Sequence, residues 1–79
     1  MNVRVLLFAS YADALGADSL ELELESPARV RDVLAAVQGR ARHAVPPAPL
    51  VAVNAEYAVL DRLIEPHDEV AIIPPVAGG

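Results

Sequence analysis

Apolar and polar positions along this chain repeat first with a period of two, then with a helical period, then with two again. Val3-Arg4-Val5-Leu6-Leu7-Phe8 is rich in β-branched and apolar residues and predicts a first strand. Alternation sets Val3, Val5 and Leu7 on one face and Arg4, Leu6 and Phe8 on the other, and the arginine marks the second face as the wetter one. Ser19-Leu20-Glu21-Leu22-Glu23-Leu24-Glu25 alternates cleanly, with three leucines toward a core and three glutamates toward water. Between these strands, Ser10-Tyr11-Ala12-Asp13 has the spacing of a capping box and Gly16 is a natural stop, which predicts a short helix over residues 11–15. Val30, Val33, Leu34 and Val37 fall at i, i+3, i+4 and i+7 and predict an amphipathic helix over residues 27–38. Ser26 reads as its cap, Pro27 as its first residue and Gly39 as its end.

Beyond a loop over residues 40–49, Leu50-Val51-Ala52-Val53 reads as a short buried strand, Asn54-Ala55-Glu56 as a turn and Tyr57-Ala58-Val59 as a return strand. Residues 61–65 read as a single helical turn, Pro66-His67-Asp68 as a turn and Glu69 to Ile73 as the last strand. This order predicts an α+β domain with one main helix packed on one face of a mixed sheet. The first and last strands are the most apolar, so they belong side by side and parallel at its centre: a β-grasp, ubiquitin-like arrangement.

Composition bounds the rest. Seventy-nine residues make one domain, and a hydrophobic fraction of 54% can fill a core despite few aromatics. The net charge of −5 argues against nucleic acid, whose phosphates demand clustered basic residues. No apolar run approaches the length of a membrane helix, so no membrane association is expected. The chain holds no cysteine and two histidines, which disfavours disulfides and metal and makes a cytoplasmic setting the expectation. All six basic residues are arginine, so no lysine amine is present for Schiff-base or isopeptide chemistry.

The residues that bear on function lie at the end: Ile72-Ile73-Pro74-Pro75-Val76-Ala77-Gly78-Gly79. Each proline fixes φ and removes a donor, so the strand cannot continue, and the pair favours an extended path away from the body. Gly78 and Gly79 form the slimmest possible tail, able to enter a narrow channel. Its only functional group is the α-carboxylate of Gly79, ionised at neutral pH with a reference pKa of about 3.3–3.7. The division expected is a domain over residues 1–76 and a flexible tail over 77–79.

Three stretches together carry a family resemblance: Val5-Leu6-Leu7-Phe8-Ala9, Leu50-Val51-Ala52-Val53-Asn54 and Asp68-Glu69-Val70-Ala71-Ile72-Ile73-Pro74-Pro75-Val76-Ala77-Gly78-Gly79. Over its whole length the chain resembles the MoaD family, the ubiquitin-like sulfur carriers that form the small subunit of molybdopterin synthase. The family usually has glycine where His67 stands, and histidine is among the residues that tolerate positive φ there. The resemblance implies that a MoeB-like adenylating enzyme, with ATP and Mg²⁺, activates Gly79. Sulfur from a persulfide donor then leaves a thiocarboxylate. A MoaE-like large subunit, in a heterotetramer, takes that sulfur to cyclic pyranopterin monophosphate. It also implies that the chain itself binds no cofactor or metal and acts as a non-catalytic, sulfur-donating subunit.

Phe8, Tyr57 and Ile73 are candidates for an exposed docking patch, with Pro74, Pro75 and Val76 leading from it to Gly78 and Gly79. His43 and His67 read as loop residues, the three glutamates at 21, 23 and 25 as a solvated face, and Arg29, Arg31, Arg40 and Arg42 as exposed. Three other functions share these features: a ThiS-like carrier for thiazole synthesis, a ubiquitin-like protein modifier, and a β-grasp interaction module with an inert tail.

Overall fold

The computed structural model describes residues 1–75, so the expectations for Val76, Gly78, Gly79 and a flexible tail over residues 77–79 lie outside the described residues. In chain order the elements are β1 (Asn2–Leu7), α1 (Ala9–Leu15), β2 (Ser19–Glu23), β3 (Ala28–Arg29), α2 (Val30–Arg40), β4 (Leu50–Val53), β5 (Glu56–Tyr57), β6 (Leu63–Ile64) and β7 (Glu69–Ile73). Five strands form one sheet in the order β2-β1-β7-β4-β5, and β3 pairs with β6 in a small second ladder. β1 and β7 run parallel at the centre of the large sheet, and its other pairs are antiparallel. The expected β-grasp arrangement is therefore the one found.

Register explains the core. Val5 stands beside Val70, Leu7 beside Ile72, Val51 beside Ile72 and Val53 beside Val70. These side chains share the face covered by α2, whose Val30, Val33 and Val37 are fully buried while Leu34 is half-buried. Aliphatic residues fill the interior together with one aromatic ring, Tyr11. Its hydroxyl donates to the carbonyl of Pro46 at 2.5 Å and accepts from Gln38 Nε2 at 3.3 Å, which satisfies the only polar atom of that buried ring.

Five local expectations are corrected. The main helix begins at Val30, not at Pro27; the Ser26–Pro27 peptide is cis and residues 28–29 are strand. Its start is set from a distance. The N–H of Val30 donates to Arg62 O, that of Arg31 to Leu60 O, and that of Arg29 to the Asp32 carboxylate. These bonds satisfy N–H groups that a helix leaves unpaired at its first turn. Residues 61–65 hold no helical turn, because Leu63–Ile64 pairs with Ala28–Arg29 as β6. Gly39 does not end α2, which continues through Arg40 to a cap at Ala41. Ser10 caps nothing: α1 begins at Ala9, with Phe8 in the cap position and no side-chain capping bond. Gly16 does stop α1, at φ 72°. The return strand is shorter than expected, Glu56–Tyr57.

The end of the sheet away from the tail is held by Asp68. Its carboxylate accepts from the Glu65 N–H at 2.8 Å, from Asn54 Nδ2 at 2.8 Å and from Arg62 Nη1 at 3.4 Å. Asn54 in turn accepts from the Glu69 N–H at 3.0 Å, so the β4–β5 turn is tied to the start of β7. The Glu65 N–H, with help from Asn54 and Arg62 and against the opposing effect of burial, lowers the pKa of Asp68 below its ordinary 3.8. A carboxylate with a depressed folded-state pKa contributes stability above the ordinary value and loses it as pH falls through the folded-state value. Denaturant unfolding as a function of pH should therefore show a loss of stability below about pH 4 that is smaller in Asp68→Asn, itself less stable at neutral pH. His67 beside it sits at φ 78°, a region that costs an L-residue about 1–2 kcal/mol. Set against the extra unfolded-state freedom of glycine, about 0.5–1 kcal/mol, His67→Gly should raise unfolding stability by roughly 0.5–1 kcal/mol.

Candidate functional site: an apolar platform at the exit of the last strand

The face of the sheet opposite α2 is organised in rows that cross the strands. Arg4 and Glu69 form one row, with Arg4 Nε 3.8 Å from Glu69 Oε2. The next row is apolar: Leu6 beside Ala71, Ala71 opposite Ala52, and Ala52 opposite Tyr57. The last row, at the end where β7 leaves the sheet, has Ile73 opposite Leu50. Phe8 completes it on the β1 side. Its backbone remains extended at φ −128°, ψ 148°, so alternation keeps its side chain on the face of Leu6.

Exposure separates this surface from the core. Phe8 is 46% exposed, Leu50 45% and Tyr57 74%, while Val5, Val70 and Ile72 on the opposite face are at zero. Ile73 and Pro74 are half-buried and Pro75 is exposed. The structure thus brings together the predicted Phe8, Ile73 and Pro74 with Pro75 after them, and it sets Tyr57 one row back, at the sheet edge. Val76, Gly78 and Gly79 follow directly in the chain.

Sequence reasoning missed Leu50, read as the first residue of a buried strand. Val51 and Val53 face α2, and the same alternation turns Leu50 and Ala52 to the opposite face, where Leu50 is exposed and Ala52 is buried; that signal was present in the pattern. It also missed a groove of about 390 Å³ beside the platform, walled by Leu34 of α2, by Pro49 and Val51, and by Ala58, Val59 and Leu60. Leu50 and Tyr57 line groove and platform alike.

Apart from Tyr57 at one edge and Ser19 opposite Leu6 at the other, the two rows carry no polar side chain. They offer contact area rather than chemistry. Among the described residues no group of three potential ligands could hold a metal ion, and no helix is long and apolar enough to cross a membrane.

A ubiquitin-like fold with an apolar platform where β7 leaves the sheet defines the class. The ThiS family model matches residues 5–79, and the chain belongs to that family, the MoaD-like and ThiS-like carriers. A molybdopterin synthase sulfur carrier subunit from Arabidopsis thaliana is 30% identical over the whole of this chain and 84% of its own length. Among solved structures, SAMP1 from Haloferax volcanii superimposes with a TM-score of 0.82 at 27% identity, covering all of both chains. A Pyrococcus furiosus protein described as molybdopterin converting factor, subunit 1, gives a TM-score of 0.81 at 30% identity, over 96% of this chain and 99% of that one.

The two tyrosines provide a test of the division between platform and core. Tyr57→Glu should change unfolding stability by no more than about 0.5 kcal/mol, as for an exposed surface site. Tyr11→Phe should cost about 1 kcal/mol, because it leaves the Pro46 carbonyl without its donor.

Proposed function

We propose that this chain is the sulfur carrier subunit of a molybdopterin synthase. The observation that carries the reading is the pair of apolar rows at the exit of β7, adjoining Pro74-Pro75-Val76-Ala77-Gly78-Gly79 in a member of the ThiS family. In this reading a MoeB-like enzyme uses ATP and Mg²⁺ to join AMP to Gly79, since a free carboxylate is a poor electrophile. The outer sulfur of a persulfide displaces AMP to give an acyl disulfide, and a second thiol of the donor then cleaves that S–S bond, leaving the thiocarboxylate on Gly79 and a disulfide on the donor. The MoaE-like large subunit docks on the platform and receives the tail in its own active site. Sulfur then passes to cyclic pyranopterin monophosphate, and two loaded carriers in a heterotetramer supply the two sulfurs of the dithiolene. The carrier contributes positioning: docking makes sulfur delivery effectively intramolecular. A chain of this fold, 18% identical, occurs in the complex of subunits 1 and 2 of molybdopterin-converting factor from Helicobacter pylori, so the fold is compatible with a second subunit.

Two readings compete. The likeness to small archaeal modifier protein 1 of Haloferax volcanii, at a TM-score of 0.81 and 26% identity, favours a role as a protein modifier. With no lysine in its sequence, this chain as modifier would not be joined to itself through lysine. A ThiS-like carrier for thiazole synthesis would share the tail chemistry and differ in the acceptor of sulfur.

Mass spectrometry of the full chain after incubation with the activating enzyme, ATP and a persulfide donor should show oxygen replaced by sulfur at the C-terminal peptide. Amide adducts on other proteins in place of that change would favour the modifier, and an unaltered tail would rule out both. In a molybdopterin assay Gly78→Val and Gly79→Val should lose transfer by about a hundredfold or more, the scale of a misplacement of about 1 Å at a reacting centre. Both variants should unfold like the wild type. Phe8→Glu and Ile73→Glu should weaken binding to the large subunit while the domain remains folded. Unfolding by either change, with unaltered affinity in the folded fraction, would place that residue in the core.

A further inference from the structure

The two edges of the large sheet are finished differently. At one edge β2 turns Glu21 and Glu23 to solvent, and such charges discourage another strand from pairing there. At the other edge β5 carries Tyr57, and the chain just beyond it carries Val59 and Leu60, 72% and 52% exposed. These three side chains line one groove together with the exposed Leu50 and with Leu34 of α2. We propose that this edge is a second part of the docking surface. It takes an extended, apolar peptide segment of the large subunit, whose backbone pairs with Tyr57 and one of whose side chains fills the groove. The inference rests on the docking role given above to the platform and extends it around the edge of the sheet.

The groove comes from a parting of strands. Ala52 stands opposite Tyr57, and the Ala58 N–H still donates to Val51 O at 2.9 Å. The chain then leaves β4 for the start of α2, where the carbonyl of Leu60 accepts from the Arg31 N–H at 3.1 Å. Leu50, the first residue of β4, has no strand beside it on that side. A gap therefore opens between Leu50 and Val59–Leu60, with Leu34 in its wall. Apart from the Tyr57 hydroxyl, the lining side chains are apolar. The groove has little with which to orient a polar small molecule, and a branched or aromatic side chain suits it.

The backbone beside the groove matches a peptide. The Ala58–Val51 bond flanks the Ala52–Tyr57 pair, which makes that pair the non-hydrogen-bonded kind of an antiparallel ladder. The N–H and C=O of Tyr57 therefore point away from β4 to the open edge, and neither has a backbone partner among the described residues. One donor and one acceptor on a single edge residue are what an added strand engages, while a pocket beside them selects its side chain. Two facts favour the large subunit over a second copy of this chain. Leu50 and Tyr57 line groove and platform alike, so a partner on the platform already reaches the groove. A second copy would bring a net charge of −5 against its own like charge.

The test uses the full chain and the MoaE-like large subunit, with affinity by calorimetry, melting by circular dichroism, and amide hydrogen exchange of free and bound carrier by NMR. Val59→Ser and Leu60→Ser remove apolar surface without adding charge. Each should bind the large subunit about tenfold more weakly, the loss expected for truncating a well-buried interface side chain, and should melt like the wild type. Exchange of the Tyr57 N–H should slow in the complex, as strand pairing requires. If Leu60→Ser lowers the melting temperature, Val59→Ser, at the more exposed position, decides. If Phe8→Glu weakens binding while both serine variants bind like the wild type, the inference is overturned and the docking role stands. If the serine variants bind weakly but Tyr57 exchange is unchanged, no strand is added and the inference is overturned. A free carrier that sediments as a dimer, and that Leu60→Ser makes monomeric, would give the groove to a second copy and overturn it as well. If Phe8→Glu and Ile73→Glu bind like the wild type, the docking role fails and this inference fails with it.

Discussion

The parallel pairing of β1 with β7 is the contact on which the rest depends. It places the first strand beside the last, so Leu7 and Phe8 finish level with Ile72 and Ile73. β4 then joins β7 on its other side and begins where β7 ends. Three strand termini therefore meet at one end of the sheet, and the segment that leaves there emerges between two shoulders. Neither shoulder could be built by residues near the tail in sequence. The core serves the same end. Val5, Val70, Val51, Val53 and Ile72 lock the register from the α2 side, and a slip of one residue would carry the apolar rows to the wrong face.

The two faces divide the work. Short branched side chains on the covered face supply cohesion. The open face is charged at one end, where Arg4 meets Glu69, and apolar at the other. That gradient along the strands sets the apolar end at the point where β7 leaves the sheet.

Much of this was legible in the sequence because strand alternation is a local property. The burial of Val3, Val5 and Leu7, the exposure of Phe8, and the position of Ile73 away from α2 all follow from a period of two. The turn angles at Asn54 and His67 were legible from residue type. What could not be read depended on distant partners. Ser26-Pro27 has the composition of a helix start, yet the N–H groups of α2 are satisfied by carbonyls of Leu60 and Arg62. A two-residue ladder such as Leu63–Ile64 with Ala28–Arg29 leaves no periodic trace, so its sequence resembled a helical turn. At the site, individual exposed residues were found, but the rows were not, because register between strands is a tertiary fact. Leu50 was the exception, overlooked although alternation pointed outward.

The central position of β7 has a consequence for how the molecule comes into being. Its two neighbours, β1 and β4, do not touch each other, so until residues 69–73 are made and inserted the sheet has a gap in its middle. Contacts that span almost the whole chain close slowly, because loop entropy must be overcome before they form. The domain therefore closes as a whole only when β7 enters between β1 and β4.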